Sequence, residues 1–394
     1  MTNVRRTLQA IVALSIPLFV QPIHASDLIL SANDGKFQRV EGNATYPSPA
    51  PSDSLVVIDA SHFPPVVKAT LEGIDHTIQG PPQAVAITPN GKLAVVAAPS
   101  RYDYAAKKET LETFLQVVDI ESSPPKLVDK VELGVHINGL SINPDGTLLL
   151  AAALDGTLKV LAIKDNGLTL LDSIKLGEKR LSGVTFTHDG KAAIVALRDE
   201  QGAAILSVDA TGVKDTGERL STGVSPYSVD VDSNGHWAVI SNVGLAGKPG
   251  NFGKIFGDAD SVTLVDVTKR PFRSVQHLTV PAIPEGVSIS PDGKWIVVQA
   301  MDGSQLTTDN PGRHPRGKVV LFALDKNGAH KVNEVPGGEA AQGIVFAKDS
   351  RTVIVQFDVE KELAIYRVVG GKLVDTTKRI KLAAGPVSIR SMPR

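Results

Sequence analysis

The sequence predicts an all-β, seven-bladed β-propeller of four-stranded blades, and three observations predict it. A hairpin phrase recurs along the chain, each copy is followed by two further strand-like runs, and the two ends carry complementary halves of one more copy. The phrase is an alternating apolar run, a Pro-Asp-Gly turn or a relative of it, and a second apolar run. It reads AVAITPNGKLAVVAA from Ala84, GLSINPDGTLLLAAA from Gly139 and GVTFTHDGKAAIVAL from Gly183. It returns as SVDVDSNGHWAVISN from Ser228, GVSISPDGKWIVVQA from Gly286 and GIVFAKDSRTVIVQF from Gly343. Asn-Gly or Asp-Gly between apolar runs signals a hairpin, because the turn needs a residue that tolerates positive φ.

The turn glycine measures the repeat. Gly91, Gly146, Gly190, Gly235 and Gly293 are followed by Ser350 in the same slot, at spacings of 55, 44, 45, 58 and 57 residues. A unit of this size with four short strands is a propeller blade. The third and fourth strands read, for example, TLKVLAIK and LTLLDSIKLG from Thr157 and Leu168. At the N-terminal end, residues 27–35 (DLILSANDG) align with residues 295–303 (WIVVQAMDG), a second strand without its first. At the C-terminal end, residues 386–390 (PVSIR) align with 286–290 (GVSIS), a first strand without its second. Pairing of the two ends closes a ring of six internal hairpins and one split hairpin, and leaves no open inner edge.

Residues 1–25 read as a secretory signal peptide, with Arg5 and Arg6, an apolar stretch over 10–20 and Ile23-His24-Ala25 before the expected cut. That apolar stretch is too short to span a bilayer, and no membrane span is expected after cleavage. The expected mature chain, residues 26–394, is a single propeller domain, placed in the periplasm or secreted by a bacterium. The chain has no cysteine, so disulfides, a lipid-modified cysteine and cysteine-attached haem are all excluded. With 41 Lys+Arg against 42 Asp+Glu in 394 residues, no basic excess points to nucleic acid.

In such blades the Asp-Gly turns share one face. The second-to-third-strand loops and the blade-to-blade links share the other. The long insertions, 36–53, 100–112, 244–260 and 303–316, all fall in second-to-third loops, which makes that face the expected site. The links place Gln83, His136, Asn138, Lys179, Arg180, Tyr227, Glu285 and Gln342 around the channel mouth. Of these, Gln83, Asn138, Lys179, Tyr227 and Gln342, together with Arg313 and His314 of the locally basic 303–316 insertion, are the expected ligand-binding residues. Tyr102 and Tyr104 add a mixed surface in the 100–112 insertion.

Carboxylates recur at the end of the second strand, at Asp34, Asp155, Asp199, Asp302 and Asp358. Spread around a ring, they are too far apart to share one calcium ion, so no metal is expected. Residues 247–254 (GKPGNFGK) lack the first glycine and the Ser/Thr of a phosphate loop. No zinc motif and no nucleophile elbow is present, and no cofactor is expected.

These hairpins resemble the YVTN-repeat and lactonase-like (6-phosphogluconolactonase-like) bacterial propellers and, more loosely, the repeats of the TolB propeller. The resemblance spans nearly the whole expected mature chain and implies a propeller fold. Lactonases of this kind open a ring at the channel mouth with His, Arg and Glu. The resemblance therefore implies catalytic roles for His136, Arg180 and Glu285, with His or Glu activating water and Arg stabilising the oxyanion. The Pro-His flanking of the lactonases is absent here. Lacking a catalytic motif, the sequence reads first as an exported binding module for a protein or small ligand on its loop-rich face. A lactonase-type hydrolase is the alternative.

Overall fold

The computed structural model describes residues 27–78, 80–244 and 259–393, and it contains strands and no helix among them. The expected signal segment and most of the 244–260 insertion lie outside these residues. Seven four-stranded antiparallel sheets stand in a ring, each running from an innermost to an outermost strand. Blade 1 is the split one. Gly385–Ser391 lies innermost and pairs with Leu28–Asp34, followed by Ser54–Asp59 and Val66–Glu72. Blades 2 to 7 begin with Val85–Ile87, Ile137–Ile142, Val184–Phe186, Pro226–Val231, Pro284–Ile289 and Ile344–Phe346, in chain order.

The turns form because the sequence supplies both halves of their bonding. Gly91, Gly146, Gly190 and Gly293 donate back to Thr88, Asn143, Thr187 and Ser290 at 2.8–2.9 Å, each with φ between 68° and 73°. Ser350 takes the same left-handed conformation, at φ 56°. The side chains of Thr88, Asn143, Thr187, Asp232 and Ser290 then accept the amide that opens the second strand.

Burial falls from the axis outward. Second strands such as Thr352–Phe357 are wholly buried, whereas fourth strands such as Val66–Glu72 are mostly exposed. The apolar clusters lie between neighbouring blades. One, for example, joins Leu150, Leu158 and Val160 of blade 3 to Val184, Phe186 and Val195 of blade 4. Each blade is thus half of two cores, which makes the ring a single cooperative unit.

Ring closure carries its own polar network. Gln356 of blade 7 donates to Ser31 Oγ at 2.8 Å and to the Ser388 carbonyl at 2.9 Å. His76, fully buried, contacts the Ala97 carbonyl at 3.0 Å and Ser388 Oγ at 2.8 Å. Burial, with Lys36 adding to it, holds the His76 imidazole down to about 3, so it is neutral.

Candidate functional site

Two hairpins rise from the loop-rich face, and both lie in expected insertions. In blade 1, Gln38–Val40 pairs with Asn43–Thr45, and in blade 2, Ser100–Asp103 pairs with Lys108–Leu111. They lean on each other through aromatic rings. Tyr46 stacks on Tyr102 at 3.7 Å between centroids and 4° between planes, and Phe37 and Tyr104 meet this pair edge-on. Tyr104 also donates to the Pro47 carbonyl at 2.8 Å.

The blade 1 hairpin reaches as far as the blade 6 insertion. Arg39 donates to the Gln305 carbonyl at 3.2 Å. At Gly42 (φ 79°) the backbone presses so close to Leu306 that a Cβ would sit 2.1 Å from its carbonyl oxygen. Beneath the hairpin, Lys36 bridges Asp34 and Asp53 and donates to the His76 carbonyl at 2.8 Å. Burial, opposed by Lys36 and reinforced by the charge of Asp53, pushes the Asp34 carboxyl up to about 7.

A second segment crosses the mouth itself. Gly80 packs over the Tyr227 hydroxyl, where a Cβ would lie 2.8 Å away. The Pro82 carbonyl accepts from Ile389 at 3.0 Å, and Ser388 Oγ donates to the Pro81 carbonyl. Gln83 spans the channel from blade 2 to blade 5, donating to the Val229 carbonyl at 2.9 Å and accepting the Val229 amide at 3.0 Å.

The remaining expected residues meet different partners. His136 Nδ1 contacts the Glu112 carbonyl at 2.8 Å, and burial lowers its pKa. Arg180 forms a two-pronged pair with Asp199, at 3.1 and 3.0 Å. Asn138 donates to the Leu181 carbonyl and Gln342 to the Ala340 carbonyl, while Lys179 is exposed. Arg313 binds Glu339 at 2.9 Å and the Ser304 carbonyl at 3.0 Å, and His314 rests on Asp302. His136, Arg180 and Glu285 make no hydrogen bond or ion pair with one another among the described residues. No group of three potential metal ligands occurs among those residues either.

What the structure does bring together is Tyr227, Glu285 and Arg198. The Arg198 guanidinium lies 3.6 Å from the centre of the Tyr227 ring. Burial pushes the Glu285 carboxyl up to about 7, against the opposing charges of Arg198 and then Arg39. Burial, helped by Glu285 and opposed by Arg198 and Arg180, lifts the Tyr227 hydroxyl to about 12. Burial likewise lifts Asp358 to about 7, with Arg39 as the leading opposing charge. The repeat alignment passed over Arg198 because it directly precedes Asp199, whose slot holds the recurring carboxylate. The available signal was a cation closing the otherwise apolar run AAIVAL.

The channel opens on the opposite face, as a narrow cleft of about 80 Å³. Its polar lining is satisfied internally. Ser288 donates to Asp230 at 3.0 Å, and Arg390 reaches the Val184 and Leu140 carbonyls at 3.0 and 3.3 Å.

Fold and site together define a seven-bladed propeller with a roofed, loop-rich mouth. A WD domain, G-beta repeat profile matches residues 129–160, from the last strand of blade 2 to the third strand of blade 3. No curated protein sequence matches the chain. Among solved structures, the periplasmic gluconolactonase of Pseudomonas aeruginosa is similar over 93% of this chain and 99% of its own, with TM-score 0.65 and 15% identity. A Bacteroides uniformis protein provisionally assigned as a 6-phosphogluconolactonase covers 93% of this chain and 100% of its own, at TM-score 0.67 and 15% identity. Kuenenia stuttgartiensis hydrazine synthase is similar over 80% of this chain and 90% of its own, at TM-score 0.58 and 17% identity. Likenesses at this identity establish the shared propeller fold, which includes the lactonase-like propellers.

Proposed function

We propose that the protein is an exported, non-catalytic binding module that recognises its ligand or partner protein on the loop-rich face. The observation that carries this reading is that two of the residues expected to be catalytic, Arg180 and His136, are engaged by other groups. Arg180 is held by Asp199, His136 by a backbone carbonyl, and Glu285 lies in the field of Arg198 and Arg39. Ring opening needs a base and an oxyanion stabiliser facing one reacting carbon, and His136 and Arg180 are each already engaged by another group of the fold. Recognition, by contrast, is served by the aromatic crest of Tyr46, Tyr102 and Tyr104, a rigid platform with polar edges.

One observation favours a second reading, a lactonase-type hydrolase. A Glu285 carboxyl near 7 beside Arg198 is suited to proton transfer at neutral pH. The Pseudomonas aeruginosa neighbour, a periplasmic gluconolactonase, points the same way.

The binding reading is tested by hydrogen exchange on the chain isolated with whatever it binds, compared with the stripped protein. Protection is expected over residues 36–53 and 100–112, with the turns at 187–191 and 232–236 unchanged. Protection confined to those turns and the open cleft would contradict the reading.

A further inference from the structure

Arg198 and Glu285 are both more than nine-tenths buried, with 6% and 8% of their surfaces exposed. Among the described residues, each retains polar atoms with no partner: Nε and Nη1 of Arg198, and Oε2 of Glu285. They sense each other's charge, yet they do not approach to ion-pair distance. An unpaired charge inside a protein is costly, and native structures retain one where something else is to be bound. Water could fill the gap, but water brings no charge to either group. An anion alone would satisfy Arg198 while facing the carboxylate of Glu285. A cation alone would satisfy Glu285 and face Arg198. A molecule with both charges and no net charge meets both demands.

Resting on the reading of the loop-rich face as the recognition face, we propose that Arg198 and Glu285 form a subsite for a small amino-acid-like zwitterion. Its carboxylate is received by Arg198, braced on the Tyr227 ring, and its ammonium by Glu285. Tyr227 supplies the floor, and the Gly80–Gln83 crossing, which packs on the Tyr227 hydroxyl, closes the site from above. Gly80 matters there because any side chain would occupy the space directly over that hydroxyl. The gap between the two charges makes the spacing of the ligand's own charges the selective feature.

The test uses the whole exported chain and the probes glycine, β-alanine and γ-aminobutyrate, with acetate and methylammonium as single-charge controls. Thermal melting is followed for wild type, Arg198→Gln and Arg198→Lys, all in chloride buffer. The melting point of Arg198→Gln without probe is the reference against which its own shifts are read. One zwitterion of the series is expected to raise the wild-type melting point beyond both controls. Its apparent affinity should fall about thirtyfold or more in Arg198→Gln and less in Arg198→Lys.

General solvent effects of amino acids would shift wild type and Arg198→Gln equally, and that result overturns the proposal. A wild type that responds no more to any zwitterion than to acetate overturns it too. As a check that needs no variant, the Arg198 Nε–H resonance of wild type should move on adding the effective zwitterion, and a stationary resonance contradicts the assignment. If these tests fail while exchange protection still maps to the crest, the binding-module reading stands and only the ligand class falls.

Discussion

Deleting residues 385–394 will leave a chain without a cooperative unfolding transition. The deletion removes the innermost strand of blade 1, which pairs with Leu28–Asp34 on its axial side. Val387, Ile389 and Met392, each at least 95% buried, are lost with it. At about 1.5–3 kcal/mol per fully buried apolar side chain, the removal of these three costs roughly 4.5–9 kcal/mol. Gln356, His76 and Pro82 would also lose their partners on Ser388 and Ile389. The sum rivals the ~5–15 kcal/mol that holds a typical domain together. Urea denaturation followed by circular dichroism measures it. A truncated chain that unfolds within about 1 kcal/mol of wild type would refute the closure as described.

The second large effect is a fall in stability as pH rises through the weakly acidic range. Glu285 and Asp358 have folded-state pKa values raised to about 7 by burial. In the unfolded chain both return to about 4. Between those values the folded protein holds protons that the unfolded chain has released, so raising the pH favours unfolding. The loss begins near pH 4, is complete a little above pH 7, and is of the order of 3–4 kcal/mol per group at most. Glu285→Gln and Asp358→Asn should each flatten the profile between about pH 5 and pH 8 relative to wild type. Profiles parallel to wild type would show that these carboxyls ionise as they do in water.

Much of the architecture was legible because its determinants are local. An Asp-Gly turn carries its own φ requirement and its own amide acceptor, so each hairpin could be read without its neighbours. The split blade was legible for the same reason, since each half kept its sequence pattern. Tyr227 and Glu285, which the repeat alignment places in the links, are instead the second residues of their innermost strands, Pro226–Val231 and Pro284–Ile289.

What surrounds those two was not legible. Arg198 pairs with the Tyr227 ring across a blade boundary, and nothing within its own repeat signals that contact. Arg39 sits in an insertion whose path from blade 1 to the blade 6 loop depends on packing at Gly42. The crossing by Gln83 to Val229, 146 residues away, is likewise set by the closed ring alone. Tyr102 and Tyr104 were visible as a loop surface, but their stacking partner Tyr46 belongs to another blade.

Acid release from lactones most directly tests the proposed recognition without catalysis. A panel of sugar and acyl lactones should show no ring opening above the uncatalysed rate when the protein is added at constant pH. Ring opening by wild type that is abolished in Arg180→Ala or Glu285→Gln would contradict the claim and establish a hydrolase.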